Sequence, residues 1–236
     1  MKALKYTCLA MALSLASTAA VAQITANATV TNNYIWRGLT QSTNDAAVQG
    51  GIDYVNENGF YVGTWVSNVD YAPGDVFSYE HDVYAGFSGG DEISWDVGWL
   101  YYNYDEEANF DFHEIYGTIG LGGFSATAFI LSGTEADEGP GQDFGFGQAY
   151  YLSLDYGFEL DNGLGISLHL GRHSGDFNEA FNGVPGSYTD YNVTFAIDSF
   201  TFMITDTDLD DVGADNLDND APKFVIGYSM EFGLGE

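Results

Sequence analysis

The feature that most restricts this chain is an apolar/polar alternation with a period of two residues, broken by connections that are short and long in turn. A period of two puts successive side chains on opposite faces of a strand. In the stretch from Leu164 to His173, Leu164, Ile166, Leu168 and Leu170 share one face, while Gly165, Ser167, His169, Gly171 and His173 share the other. The same rhythm sets Tyr191, Val193, Phe195 and Ile197 against Asp190, Asn192, Thr194 and Ala196. It sets Phe224, Ile226, Tyr228, Met230 and Phe232 against Val225, Gly227, Ser229 and Glu231. Read along the whole chain, it predicts about twelve strands, near 24–38, 46–56, 60–68, 78–87, 93–104, 113–121, 124–133, 148–160, 164–173, 188–197, 200–205 and 223–232.

The connections carry the topology. Glu57-Asn58-Gly59, Ser88–Glu92, Gly122-Gly123, Asp161-Asn162-Gly163 and Asp198-Ser199 are short, and Asn-Gly and Gly-Gly suit the positive φ of tight hairpin turns. Leu39–Asp45, Val69–Phe77, Asp105–Phe112, Thr134–Gly147, Ser174–Ser187 and Asp206–Pro222 are long. Strict alternation of the two kinds puts every short turn at one end of an up-and-down sheet and every long loop at the other. Bacterial outer-membrane barrels have this form, with short periplasmic turns, longer extracellular loops and an even strand number. A soluble barrel or sandwich also alternates, but with its apolar faces inward. The membrane form is favoured by apolar faces nearly free of charge and by opposite faces rich in Asp, Glu, Ser, Thr and Gly. Such faces suit a wet lumen and would make a costly soluble core. Aromatic residues near strand ends (Tyr34, Trp36, Tyr71, Tyr101, Tyr102, Tyr104, Tyr150, Tyr151, Tyr188) are expected to form the interfacial girdles. The expected fold class is therefore all-β, a transmembrane antiparallel up-and-down β-barrel.

Composition narrows the partners. The 236 residues hold 35 Asp and Glu against 5 Lys and Arg, so the phosphate contacts of nucleic-acid binding have no basic surface to come from. An aromatic content of 16% excludes an acidic disordered chain. Lys2 and Lys5, the apolar run Cys8–Leu15 and the small residues ending at Ala22 read as a signal peptide over residues 1–22, removed on export through a Sec-type pathway. Residues 23–236 then form the barrel, without cysteine and with Arg37, Arg172 and Lys223 as their only bases. Beyond the leader no apolar run reaches the roughly 18–20 residues of a membrane helix. The expected location is the outer membrane of a Gram-negative bacterium. The expected partners are outer-membrane lipid and lipopolysaccharide, the outer-membrane assembly machinery, and small solutes or ions.

The segment Asn33-Tyr34-Ile35-Trp36-Arg37-Gly38, then Gln41, Ala47–Tyr54 and Gly59–Val69, resembles the opening signature of the TorF family of proteobacterial outer-membrane porins. The resemblance is specific over residues 32–69 and continues in hairpin rhythm beyond. It implies a 12-stranded outer-membrane barrel and carries over no solute or catalytic site. Gly227-Tyr228-Ser229-Met230-Glu231-Phe232 is similar to the C-terminal signal read by the assembly machinery, except that Gly233-Leu234-Gly235-Glu236 follow the aromatic residue.

The faces opposite the apolar ones carry Asp53, Glu80, Asp82, Asp96, Glu114, Asp155, Asp190 and Glu231, with Arg37 and Lys223 as basic partners near the extracellular rim. Such a wall concentrates cations, which makes these residues, with His169 and His173, the candidate lining of a passive channel that prefers cations. The alternative is a closed structural or adhesive barrel with acidic surface loops. Asp206, Asp208 and Asp210 resemble the start of a calcium loop, but Asp211 stands where glycine is needed and Leu217 where glutamate is. A solvated acidic loop is the plainer reading, with divalent bridging to lipopolysaccharide phosphate beside it. A lipid hydrolase built on His169 and Ser167 is disfavoured, since residues two apart on one strand face lie about 7 Å apart. No enzyme activity and no cofactor are expected.

Overall fold

The computed structural model describes residues 23–72, 74–213 and 217–234; the leader read over residues 1–22 lies outside them. In chain order the strands are β1 (Gln23–Thr31), β2 (Ile35–Trp36), β3 (Leu39–Thr40), β4 (Ala47–Val55), β5 (Phe60–Asn68), β6 (Tyr79–Gly89) and β7 (Ile93–Asn103). After a 3-10 turn at Glu106–Ala108 come β8 (Phe112–Leu121), β9 (Phe124–Thr134), β10 (Tyr150–Glu159) and β11 (Gly165–Ser174). Helix α1 (Asp176–Asn182) precedes β12 (Ser187–Ile197), β13 (Phe200–Thr207) and β14 (Lys223–Gly233). Strands β1 and β4–β14 close into one barrel of twelve antiparallel neighbours. The seam is the pairing of β1 with β14, in which Ala28 faces Met230.

The register keeps each expected face intact. Val48, Ile119, Leu154, Leu168, Phe224 and Ile226 point outward with 47–68% of their surface free. A continuous apolar band of this kind around a closed barrel is a surface made for hydrocarbon. Short turns lie at one end. Asn56 caps the first by accepting from the Asn58 and Phe60 amides, while Gly59 supplies the positive φ of 80°. All long connections lie at the other end.

The first strand differs from its expected span of 24–38. It stops at Thr31, and the next residues form a separate hairpin, β2 and β3, folded into the barrel mouth. The reason is local. Arg37 (φ 49°) and Gly38 (φ 84°) are the two central residues of a turn with positive φ at both positions, the kind that joins strands two residues apart. Asn33 accepts from Thr40 Oγ1 at 2.7 Å, and Ser42 Oγ accepts from the Tyr34 amide at 3.0 Å, locking the hairpin. A β carbon on Gly38 would lie 2.5 Å from Asp190 Cβ, so the hairpin tip packs against β12. The expected girdle is also redistributed. Tyr101 and Tyr150 face outward, whereas Tyr34, Trp36, Tyr102, Tyr104, Tyr151 and Tyr188 turn into the lumen and Tyr71 packs against that inner cluster.

Candidate functional site

The inward cluster is a plug. From the hairpin, Tyr34 and Trp36 pack against wall residues Tyr102, Tyr104 and Phe112, and α1 adds Phe177 and Phe181 from above. Trp36 meets Tyr102, Phe112, His173 and Phe181 edge-on, with ring centroids 5.4–6.4 Å apart. Water does not reach the wall at this level, where Leu100 is 0%, Leu131 1% and Glu114 3% exposed. The lumen is filled at the loop end and accessible from the turn end, where inward Thr25, Asn27, Asp53, Thr118, Ser125 and Asn192 are half-buried and Glu231 is exposed.

Arg37 sits at the centre. Its guanidinium donates to Glu114 Oε1 at 3.0 Å and to Oε2 at 2.5 Å, the bidentate geometry that fits a planar fork to a carboxylate. It lies over the rings of Trp36, Phe129 and Tyr151 at 4.2, 5.0 and 4.6 Å. His173 Nε2 is 3.1 Å from the same guanidinium, and Tyr188 donates to the Arg37 carbonyl at 2.9 Å. Glu114 points inward by the regular alternation of β8, opposite inward Leu131, and the β8–β9 register shifts just beyond this pair, passing over Ser132 so that His113 faces Gly133.

Five of the eight acids accept from tyrosine hydroxyls. Glu80 accepts from Tyr34 at 2.9 Å and Tyr104 at 3.0 Å, Glu114 also from Tyr102 at 3.0 Å, and Asp53 from Tyr84 at 2.5 Å. Asp96 accepts from Tyr61 at 2.5 Å, and Tyr61 in turn touches the Tyr116 hydroxyl. His169 lies between Asp155 at 2.6 Å and Asp190 at 3.0 Å, beside the Tyr151 hydroxyl at 2.7 Å. Both of its nitrogens are thereby engaged away from Ser167. Asp82 is fully buried and neither of its oxygens has a partner among the described residues; Oδ2 of Asp190 is in the same position.

Glycines let these tyrosines lie along the wall. A β carbon on Gly98 would fall 2.5 Å from the Tyr116 ring and 2.8 Å from the Tyr61 hydroxyl, and one on Gly171 would strike Tyr151. Rings can thus lie flat against the wall where glycine leaves no side chain.

All eight expected acids, both histidines and Lys223 therefore point inward, and Arg37 reaches the lumen from the hairpin and not from a strand. Lys223 is not the expected partner of an acid, since its ammonium donates to the Asp218 carbonyl at 2.8 Å. Asp206, Asp208 and Asp210 do not converge. Asp206 accepts from Tyr191 and the Thr207 amide, Asp208 from the Thr189 amide, and Asp210 is exposed. Among the described residues no three His, Cys, Asp or Glu side chains are grouped to hold a metal ion. The sequence reading missed Phe129, Phe177 and Phe181. It also missed the break in alternation at Asn32-Asn33, which is the one signal for the inserted hairpin.

Comparison with known proteins gives fold and family. No curated protein matches the chain. The KdgM porin solved in complex with disordered oligogalacturonate superposes with a TM-score of 0.52 at 10% identity, over 89% of this chain and 99% of that one. A second KdgM porin structure gives a TM-score of 0.51 at 10% identity, over the same shares of the two chains. At that identity the likeness is one of barrel architecture. A family described as bacterial protein of unknown function, Gcw_chp, matches residues 15–227, and the chain belongs to it.

Proposed function

We propose that the chain is an outer-membrane porin of a Gram-negative envelope that passes small solutes by diffusion and prefers cations. The observation that carries this reading is a closed barrel, apolar outside, whose lumen holds eight acids against Arg37, Lys223 and two histidines among the described residues. A tyrosine donor satisfies Asp53 without cancelling its charge, and Glu231 is exposed, so the accessible part of the lumen around these two acids stays negative. KdgM was solved with an acidic sugar oligomer; the sign of this wall favours solutes of the opposite charge. The short turns lie in the periplasm and the plug faces outward. The signature over residues 32–69 agrees with a TorF-type porin, exported by the leader at residues 1–22 and set among lipopolysaccharide by the assembly machinery. The engagement of both nitrogens of His169 supports a non-enzymatic role.

The burial of the plug favours one second reading, a closed structural or adhesive barrel. Planar-bilayer recording of the purified full chain separates the two. In a salt gradient the reversal potential should show cation preference, weaker in concentrated salt as the Debye length falls from about 10 Å at 0.1 M to about 3 Å at 1 M. Changing Asp53, Asp155 and Glu231 to the amides should reduce it. No conductance from well-folded protein would sink the channel and promote the closed barrel.

A further inference from the structure

We infer that the barrel wall carries a site for an organic cation, made by Glu114, Phe129 and Tyr151, which Arg37 fills from the hairpin tip and a guanidinium- or ammonium-bearing solute fills when the hairpin withdraws. This rests on the cation-preferring reading and names the class of solute.

Three observations meet here. Glu114, on β8, presents both carboxylate oxygens to one planar cation, at 3.0 and 2.5 Å. Phe129 and Tyr151, on β9 and β10, give that cation two aromatic faces at 5.0 and 4.6 Å. A carboxylate with flanking rings in a dry pocket is a general recipe for holding guanidinium or alkylammonium. All three groups belong to the wall and remain when Arg37 leaves. Arg37 belongs to the hairpin, which stands outside the barrel ladder and is held to the wall by side-chain contacts, among them Tyr34 to Glu80 and Tyr188 to the Arg37 carbonyl.

The second, independent pointer is Asp82. It is fully buried, its two oxygens have no partner among the described residues, and it lies within electrostatic reach of Glu80 and Glu114. Three carboxyl groups thus face one guanidinium in a water-free region, so two of them have no cation beside them. Arg37 accounts for one acid. The uncovered carboxyl group is placed to receive positive charge from what enters, so a solute with two cationic groups gains most.

The test uses Arg37→Ala, which empties the site, with agmatine as a two-headed probe and ethylguanidinium as a one-headed one. Agmatine should block the potassium current of Arg37→Ala saturably, at a concentration at least tenfold lower than in Arg37→Ala/Glu114→Gln, and Asp82→Asn should weaken block by agmatine more than block by ethylguanidinium. Equal block with and without Glu114, or none in a conducting Arg37→Ala channel, overturns the site. If Arg37→Ala folds poorly, ethylguanidinium should restore its yield where urea does not. If neither restores it, uptake into liposomes bearing the wild-type barrel decides, and agmatine entering no faster than an uncharged solute of its size overturns the site. The potassium/chloride reversal potential keeps the two ideas apart. Potassium preference without agmatine block rejects this site alone, whereas chloride preference rejects the reading beneath it.

Discussion

The Arg37–Glu114 pair should behave as a buried latch, and a double-mutant cycle measures it. Both side chains keep only 4–5% of their surface, so neither charge has water to fall back on. Arg37→Met leaves Glu114 with the Tyr102 hydroxyl alone, and Glu114→Gln leaves a desolvated guanidinium among three rings. Removing one partner of a buried ion pair costs about 3–5 kcal/mol, largely because the other charge is stranded. Taking the guanidinium away from its three rings adds a cation–π cost of up to about 2 kcal/mol where ring and cation are dry. The double variant removes both charges, keeps an acceptor for Tyr102 and lets Met fill the space between the rings. Its cost should therefore fall well short of the sum, with a coupling energy of at least about 2 kcal/mol. Urea unfolding in lipid vesicles, followed by tryptophan fluorescence, gives the four free energies, with Trp36 reporting the plug itself. Additivity within about 0.5 kcal/mol would refute the latch, because independent sites add to that accuracy.

Leu168 faces outward near mid-strand, so Leu168→Arg should cost roughly 2–4 kcal/mol, while His169→Arg, between Asp155 and Asp190, should cost less; equal costs in urea unfolding would reverse the face assignment. Gly98→Ala should cost about 1–3 kcal/mol by lifting Tyr61 and Tyr116 off the wall, and Gly122→Ala, with open space around it, should not strike any side chain; near-ultraviolet circular dichroism reads the tyrosines directly. At the loop end, the partial loss of hydration at Asp105 is outweighed by hydrogen bonds from the Ser78 and Tyr79 amides and the Ser78 hydroxyl, which hold its carboxyl below the ordinary carboxylate value. Stability from a depressed carboxyl is present above its unfolded value near 3.9 and lost as pH falls through the folded one, so exchange at the Ser78 and Tyr79 amides should accelerate only below about pH 4, and Asp105→Asn should flatten that response. Cysteine at position 137, exposed in a long loop, should react with an impermeant maleimide on intact cells, and cysteine at position 58, in a short turn, should not; the opposite result inverts the topology.

The barrel was legible because its information is periodic and local. A slip of one residue would send Leu168 inward and His169 outward, and Asn162 and Gly163 fix the adjoining turn through the side-chain bond from Leu164 N at 3.1 Å and a φ of 83°. The inward direction of each acid followed from the same period. The plug was not legible, because it depends on packing between residues far apart in sequence. Nothing near Arg37 announces Glu114, 77 residues on. Arginine is also an unusual residue for the first central position of a turn that needs positive φ, so the hairpin reads as a strand continuing. Aromatic residues near strand ends have two destinations, the interface and the lumen, and alternation separates them only once the register at the strand end is fixed. Tyr101 and Tyr102, adjacent in sequence, go to opposite sides.

The chain's composition is one solution to a single electrostatic problem. Carboxylates turned into a barrel lose hydration and need donors. Lysine or arginine would supply them and erase the field of the wall. Tyrosine supplies a hydrogen bond to a charged acceptor, worth about 1.5–3 kcal/mol, and leaves the charge in place. Tyr34 and Tyr104 do this for Glu80, Tyr61 for Asp96, Tyr84 for Asp53, Tyr102 for Glu114 and Tyr151 for Asp190. Each ring needs somewhere to lie, and Gly63, Gly86, Gly98 and Gly171 provide it, since a β carbon at any of them would come within 2.1–2.5 Å of a tyrosine atom. The abundance of Tyr, Gly and acid and the scarcity of bases are therefore coupled. Adding a base to the lumen should close a gap in the hydrogen bonding and weaken the field at the same time. Asp82, which no tyrosine among the described residues reaches, is where that arrangement leaves a buried carboxyl group without a donor.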